Sequence, residues 1–259
     1  MRSKFHIENF MTDITSILLL AGVGIAAGFI NVTAGGGSTL TLPALIFFGL
    51  EASVANGTNR IAILAQNISA VYSFKTEKYQ NFKLSLRLSL LTLPGAILGA
   101  VLAVKVSGEI FEKILALVMI GVIITMLLPN QKAKGGDEIT KLSSVPLILS
   151  MLGIGLFSGF IQAGVGFLIM AALQNLLNMK LVHVNMHKVF IIFMNTVPAL
   201  IIFIFTNNVA WIPGLILAAG NAAGAWWAAK LSVRKGDKFI KTVLIAAILI
   251  MASKLLNIF

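Results

Sequence analysis

Residues 28–41 read GFINVTAGGGSTLT, with three consecutive glycines, Gly35, Gly36 and Gly37, set inside an otherwise apolar run. Asn31 and Thr33 precede them, and Ser38, Thr39 and Thr41 follow. Glycines let a ligand approach the backbone closely, and the free N–H groups that open a helix carry partial positive charge. Such a stretch can therefore cradle an anion. Its other reading is mechanical, since small residues let helices pack closely within a bilayer. The row of hydroxyls favours binding.

Further polar groups recur downstream. Thr58, Asn59 and Arg60 lie in ASVANGTNR, with Asn67 two turns on, and HKVFIIFMNTVP in the second half supplies His187, Lys188 and Asn195. Gln162 and Gly164 stand in GFIQAGVGFLIMAAL, which echoes the glycine stretch. Arg60 and Lys188 are expected at the start of equivalent spans. They either snorkel to headgroups or stand as gates near the two mouths of a shared cavity. The amides Asn31, Asn59, Asn67, Gln162 and Asn195 either donate to an oxyanion or bond between helices. His187 binds an anion when protonated or acts structurally, the structural role being favoured.

All nine carboxylates are expected at span ends or in loops. No buried acid then serves as a conventional proton relay or sodium ligand, and anion export would be driven by its own gradient and the membrane potential. No metal-ligand cluster or cofactor motif is present. AGGGST lacks the lysine of a nucleotide-binding loop, and the three histidines with no intramembrane Asp argue against an enzyme. Three Asn-x-Ser/Thr matches lie in or beside the expected membrane region and are discounted as glycosylation sites.

These groups need elements to hold them, and composition defines those elements. The chain has 259 residues, 58% hydrophobic and only 11% charged, with a mean hydropathy of +0.96. A soluble domain carries roughly a quarter charged residues, so this is an integral membrane protein. The net charge of +11 is spread over short loops, which suits topology and not nucleic acid. The absence of cysteine excludes disulfides and thiolate chemistry. The first apolar run lacks a cleavage pattern and is expected to stay as a span.

Candidate crossings fall at 14–32, 38–55, 60–75, 87–104, 112–129, 145–162, 165–179, 188–206, 211–229 and 241–258. The halves repeat one another, pairing Arg60 with Lys188, Asn67 with Asn195 and PGAILGAVLAVK with AGNAAGAWWAAK. Loop charge inverts between them: Lys75, Lys78, Lys83 and Arg87 flank one loop, whose counterpart TNNVAW has none. The expected fold is an all-α polytopic membrane protein of two inverted-topology repeats, five plus five helices with glycine-broken short helices. The alternative is four plus four with re-entrant segments. Residues 1–130 form the first repeat, 131–144 a cytoplasmic linker and 145–259 the second repeat.

GFINVTAGGGSTLTLPAL, followed by ASVANGTN and LPGAILGA, resembles the TauE/SafE sulfite exporter family within the toluene sulfonate uptake permeases, over about residues 14–258. The resemblance implies a multi-pass permease of the bacterial inner membrane that carries sulfite, sulfoacetate or other organosulfur anions, with the glycine motifs as substrate-binding elements. The second copy departs from the motif at Val165 and Ala171, so residues 33–39 are expected to contribute more affinity than 163–167. An anion channel, or an importer of a different small organic anion, is the alternative function. The expected partners are a small anionic substrate and the lipid bilayer. The oligomeric state is open, with a homodimer among the options.

Overall fold

The computed structural model describes residues 14–111, 113–115, 117 and 144–255, and those residues form helices and turns with no strand. The helices are α1 (Ile14–Thr33), α2 (Ser38–Phe47), α3 (Ala52–Thr76), α4 (Phe82–Lys105), α5 (Val145–Phe160), α6 (Val165–Leu177), α7 (Leu181–Phe205) and α8 (Trp211–Leu255). Gly236, at φ 68°, breaks α8. The expected crossing at 112–129 and all of the linker except Ser144 lie outside the described residues, apart from residues 113–115 and 117.

Solvent preference is inverted relative to a soluble protein. Leu18, Leu19, Leu90, Leu98, Leu149 and Leu215 are each more than half exposed, whereas Asn56, Asn59, Arg60, Asn185, Lys188 and Asn221 are fully buried. That distribution suits a chain whose solvent is hydrocarbon and whose polar groups must be satisfied internally. Helices α1, α4 and α7 are long and apolar enough to cross a membrane. Helix α2 has 10 residues, about 15 Å or half of a ~30 Å hydrocarbon core.

Several boundaries differ from the expected ones. The run 38–55 is divided, because α2 stops at Phe47, the chain turns at Gly49 (φ 90°) and α3 begins at Ala52. Helices α3 and α7 each start seven or eight residues before the hydropathy windows that stood for them. Those early turns hold Asn56, Asn59 and Asn185, which lower the local hydropathy yet face inward. Arg60 and Lys188 therefore sit within long helices and not at their starts.

Two close crossings frame the molecule. Gly24 and Gly28 of α1 meet Gly220 and Gly224 of α8: a Cβ on Gly28 would lie 2.2 Å from the Asn221 carbonyl oxygen, and one on Gly224 2.0 Å from that of Ile25. Gly95 and Gly99 of α4 meet Gly155 and Gly159 of α5 in the same way, with a Cβ on Gly159 1.9 Å from the Ala96 oxygen. All four pairs are spaced i, i+4, the arrangement that lets membrane helices approach backbone to backbone.

Between these crossings α3 and α7 pack against each other and run antiparallel. The start of α3 meets the far end of α7, where Thr58 Oγ1 accepts from Ala210 N–H at 2.9 Å. At the opposite end Tyr79 Oη lies 3.5 Å from His183 Nδ1, Arg234 bridges Glu77 at 3.0 Å, and Asp237 accepts the N–H groups of Leu181 and Val182 that open α7.

Candidate functional site

The polar interior is organised around two helix breaks. In the first, Ala34 and Gly35 N–H groups still donate to Ile30 O, Gly35 takes φ 94°, and α2 resumes at Ser38. Thr39 Oγ1 donates to Gly36 O at 2.6 Å and steadies the restart. Among the described residues no acceptor receives the N–H groups of Gly36, Gly37 or Ser38. In the second, Gln162 (φ 66°) and Gly164 (φ 76°) make the turn before α6. The breaks touch each other, since a Cβ on Gly166 would lie 2.4 Å from Gly35 Cα.

Each break leaves the carbonyls at the end of the preceding helix without intrahelical partners. A cation from the other half of the chain receives them. Lys188 Nζ donates to Val32 O at 2.8 Å and to Asn185 Oδ1 at 2.8 Å, with Met170 Sδ at 3.6 Å. Arg60 donates to Ser158 O at 3.3 Å, to Gly159 O, to Phe160 O at 3.5 Å and to Gln162 Oε1 at 3.0 Å. Its guanidinium lies 4.6 Å from the centre of the Phe203 ring. Neither cation snorkels, because both are fully buried, and neither has a carboxylate partner among the described residues.

The amides join this frame. Asn31 Nδ2 donates to Gln66 Oε1 at 3.1 Å, and Asn221 Nδ2 donates to the same oxygen at 3.3 Å. Gln162 Nε2 donates to Thr196 Oγ1 at 3.3 Å. Asn59 Oδ1 accepts from Thr41 Oγ1 at 2.7 Å, and Asn195 Oδ1 accepts from Thr92 Oγ1 at 2.7 Å. Both amide nitrogens, Asn59 Nδ2 and Asn195 Nδ2, are buried with no acceptor among the described residues, and so is Arg60 Nε. The amide oxygens of Asn56, Asn67 and Asn221 are likewise buried without a donor among the described residues, and each unmatched buried group costs about 1–3 kcal/mol, so the interior holds both donors and acceptors left open.

The remaining expected residues divide. Thr33, Gly35, Gly36, Gly37, Ser38, Thr39 and Gly164 build the breaks themselves. Thr33 Oγ1 donates back to Phe29 O, and its carbonyl accepts from Asn185. Asn67 Nδ2 turns back on its own helix, donating to Ile63 O at 2.7 Å. Thr58 serves the turn before α8. His187 Nδ1 lies 2.8 Å from Ser85 Oγ on α4, a contact between helices. Sequence reading passed over Asn56, Gln66, Thr92, Asn185 and Asn221. A signal existed for two of them, because Asn56 and Asn185 precede Arg60 and Lys188 by four and three residues and so share their helix faces.

Lipid-facing leucines, a buried polar interior and broken helices meeting at its centre define a multi-pass membrane transporter. A family model described as "Sulfite exporter TauE/SafE" matches residues 20–255, and the chain belongs to that family. It is 31% identical over 247 residues, 92% of each chain, to a "Probable membrane transporter protein ORF9" from a Sinorhizobium species. It is 28% identical over 251 residues to the "Probable membrane transporter protein YfcA" of Escherichia coli K12, covering 95% of this chain and 92% of the relative. A "Probable membrane transporter protein" of Haemophilus influenzae is 27% identical over 246 residues, 94% of each chain. No solved structure gives a significant match.

Proposed function

We propose that this transporter is a secondary carrier of small sulfur-containing oxyanions, such as sulfite or sulfoacetate. It exports them by alternating access between two inverted halves of five crossings each. The observation that carries the proposal is the pair of fully buried cations, Arg60 and Lys188, with no acidic partner among the described residues. A helix C-terminus offers each of them about half a negative charge, so together they leave roughly one positive charge in the interior. An unpaired charge in such surroundings costs several kcal/mol, and an anion removes that cost.

The cradle is assigned to the N-terminus of α2, where the N–H groups of Gly36, Gly37 and Ser38 and the Asn59 amide lack acceptors. Oxygen-rich anions suit a set of backbone and amide donors. The inverted arrangement is supported by the antiparallel course of α3 and α7, by the matched glycine crossings and by the reciprocal placement of Arg60 and Lys188. Loop charge assigns the 77–83 and 230–241 end to the cytoplasm.

The test is efflux of sulfite from proteoliposomes under an imposed membrane potential. Saturable efflux with counterflow is expected. Absence of flux for sulfite, thiosulfate and sulfoacetate alike would sink the substrate assignment, and single-channel currents would replace the carrier with a pore.

A further inference from the structure

In each half, one face of the third helix reaches across to the broken helix of the other half with the same two kinds of group. On α7, Asn185 Nδ2 donates to Thr33 O at 3.2 Å while its Oδ1 accepts from Lys188 Nζ, which also holds Val32 O. On α3, Asn56 Nδ2 donates to Phe160 O at 2.8 Å while Arg60 holds Ser158, Gly159 and Phe160 oxygens. An amide followed one turn later by a cation thus grips the last carbonyls of α1 in one case and of α5 in the other. All four side chains are fully buried.

We propose that Asn56 and Asn185 are positioning residues of the transport cycle, each setting the geometry of the break in the opposite half. Their partners are carbonyls that no helix satisfies, so releasing a clamp frees a helix end next to a substrate cradle. Thr33, the residue gripped by Asn185, lies three positions before Gly36, where the unpaired N–H groups begin. Asn185 therefore acts on the cradle through the backbone without touching the anion. Gly35 and Gly166 are in contact, yet each break is held by its own clamp, reaching it from the third helix of the other half. The two third helices become the elements that carry one half's state to the other.

The clamp is a property of the chain whatever anion is carried, and its test reads the backbone and not flux. The protein has no cysteine, so single cysteines replacing Ala34 and Ala163 report on the two breaks by their rate of labelling with a small thiol reagent in proteoliposomes. Asn185→Ala is expected to raise labelling of the cysteine at 34 by about tenfold and leave that at 163 unchanged, and Asn56→Ala to do the converse. Should either alanine variant fail to elute as folded protein, Asn185→Ser and Asn56→Ser take its place, since each keeps a short donor. Equal effects of one variant on both cysteines, or no effect on either, overturn the proposal. A failure of sulfite transport leaves this readout intact, which separates the two claims.

Discussion

Gly35 and Gly166 meet main chain to main chain: a Cβ on Gly35 would stand 2.5 Å from the carbonyl carbon of Gly166, and one on Gly166 2.6 Å from the oxygen of Gly35. No side chain at the far end of a rotamer can yield here, since backbone faces backbone. Gly35 is also left-handed at φ 94°. Alanine at either position is expected to lower stability by about 1–3 kcal/mol through overpacking, with added strain at Gly35. Gly36→Ala should be milder, because its Cβ would meet only the Phe167 ring. Thermal melts of the detergent-purified variants decide the order.

The two frame crossings make a separate prediction. Gly28→Ala and Gly159→Ala place a methyl group on a facing carbonyl, and each is expected to cost about 1–3 kcal/mol. Gly22→Ala and Gly153→Ala meet nothing within 4 Å and should be neutral or slightly stabilising. Equal melting temperatures across all four variants would contradict the close crossings.

Removing a clamp cation removes several partners at once. Arg60→Gln leaves the carbonyls of Ser158 and Gly159 short of donors, while Phe160 O keeps Asn56, and Lys188→Gln does the same at Val32. Each orphaned acceptor costs about 1–3 kcal/mol. The expected outcome is membrane insertion at normal levels with anion flux reduced at least a hundredfold. Normal flux in either variant would detach the cations from transport.

Thr41 orients Asn59 by donating to its Oδ1, and the amide nitrogen stays without an acceptor among the described residues. Thr41→Val keeps the shape and removes that hydrogen bond, with an expected loss of about 1 kcal/mol in anion binding. In efflux assays this should emerge as a KM raised roughly fivefold with little change in maximal rate.

Topology can be read with the same cysteine-free background. Lys78 and Asn207 are both exposed and lie at opposite ends of α3 and α7. A cysteine replacing Lys78 should be shielded from an impermeant reagent added to whole cells, and one replacing Asn207 should react. Labelling of both from the same side would exclude the inverted arrangement.

Much of this was legible in the sequence because glycine triplets, charged loops and apolar runs are local signals. GFINVTAGGGSTLT marked the first break correctly, and helix α2 does open at Ser38. Arg60 and Lys188 were also expected as counterparts, and both hold carbonyls at a helix end. Their targets were not legible, because Val32 lies 156 residues from Lys188 and Ser158 lies 98 from Arg60. Hydropathy windows placed α3 and α7 too late for the same reason: a polar face turned inward reads, one residue at a time, as the edge of a span. Gln66 and Asn221 gave no pattern at all, since their significance rests on a shared contact across 155 residues.

The clamps are alike in design and unequal in content. Arg60 holds three backbone oxygens of the second break and a glutamine oxygen besides, whereas Lys188 holds a single backbone oxygen of the first. A hydrogen bond from a charged donor contributes about 1.5–3 kcal/mol, so one extra bond is a population ratio of roughly ten to a hundred. A carrier with identical clamps would rest equally often facing either compartment. In a carrier that alternates as proposed, the difference between a guanidinium and an ammonium then predicts a preferred idle orientation.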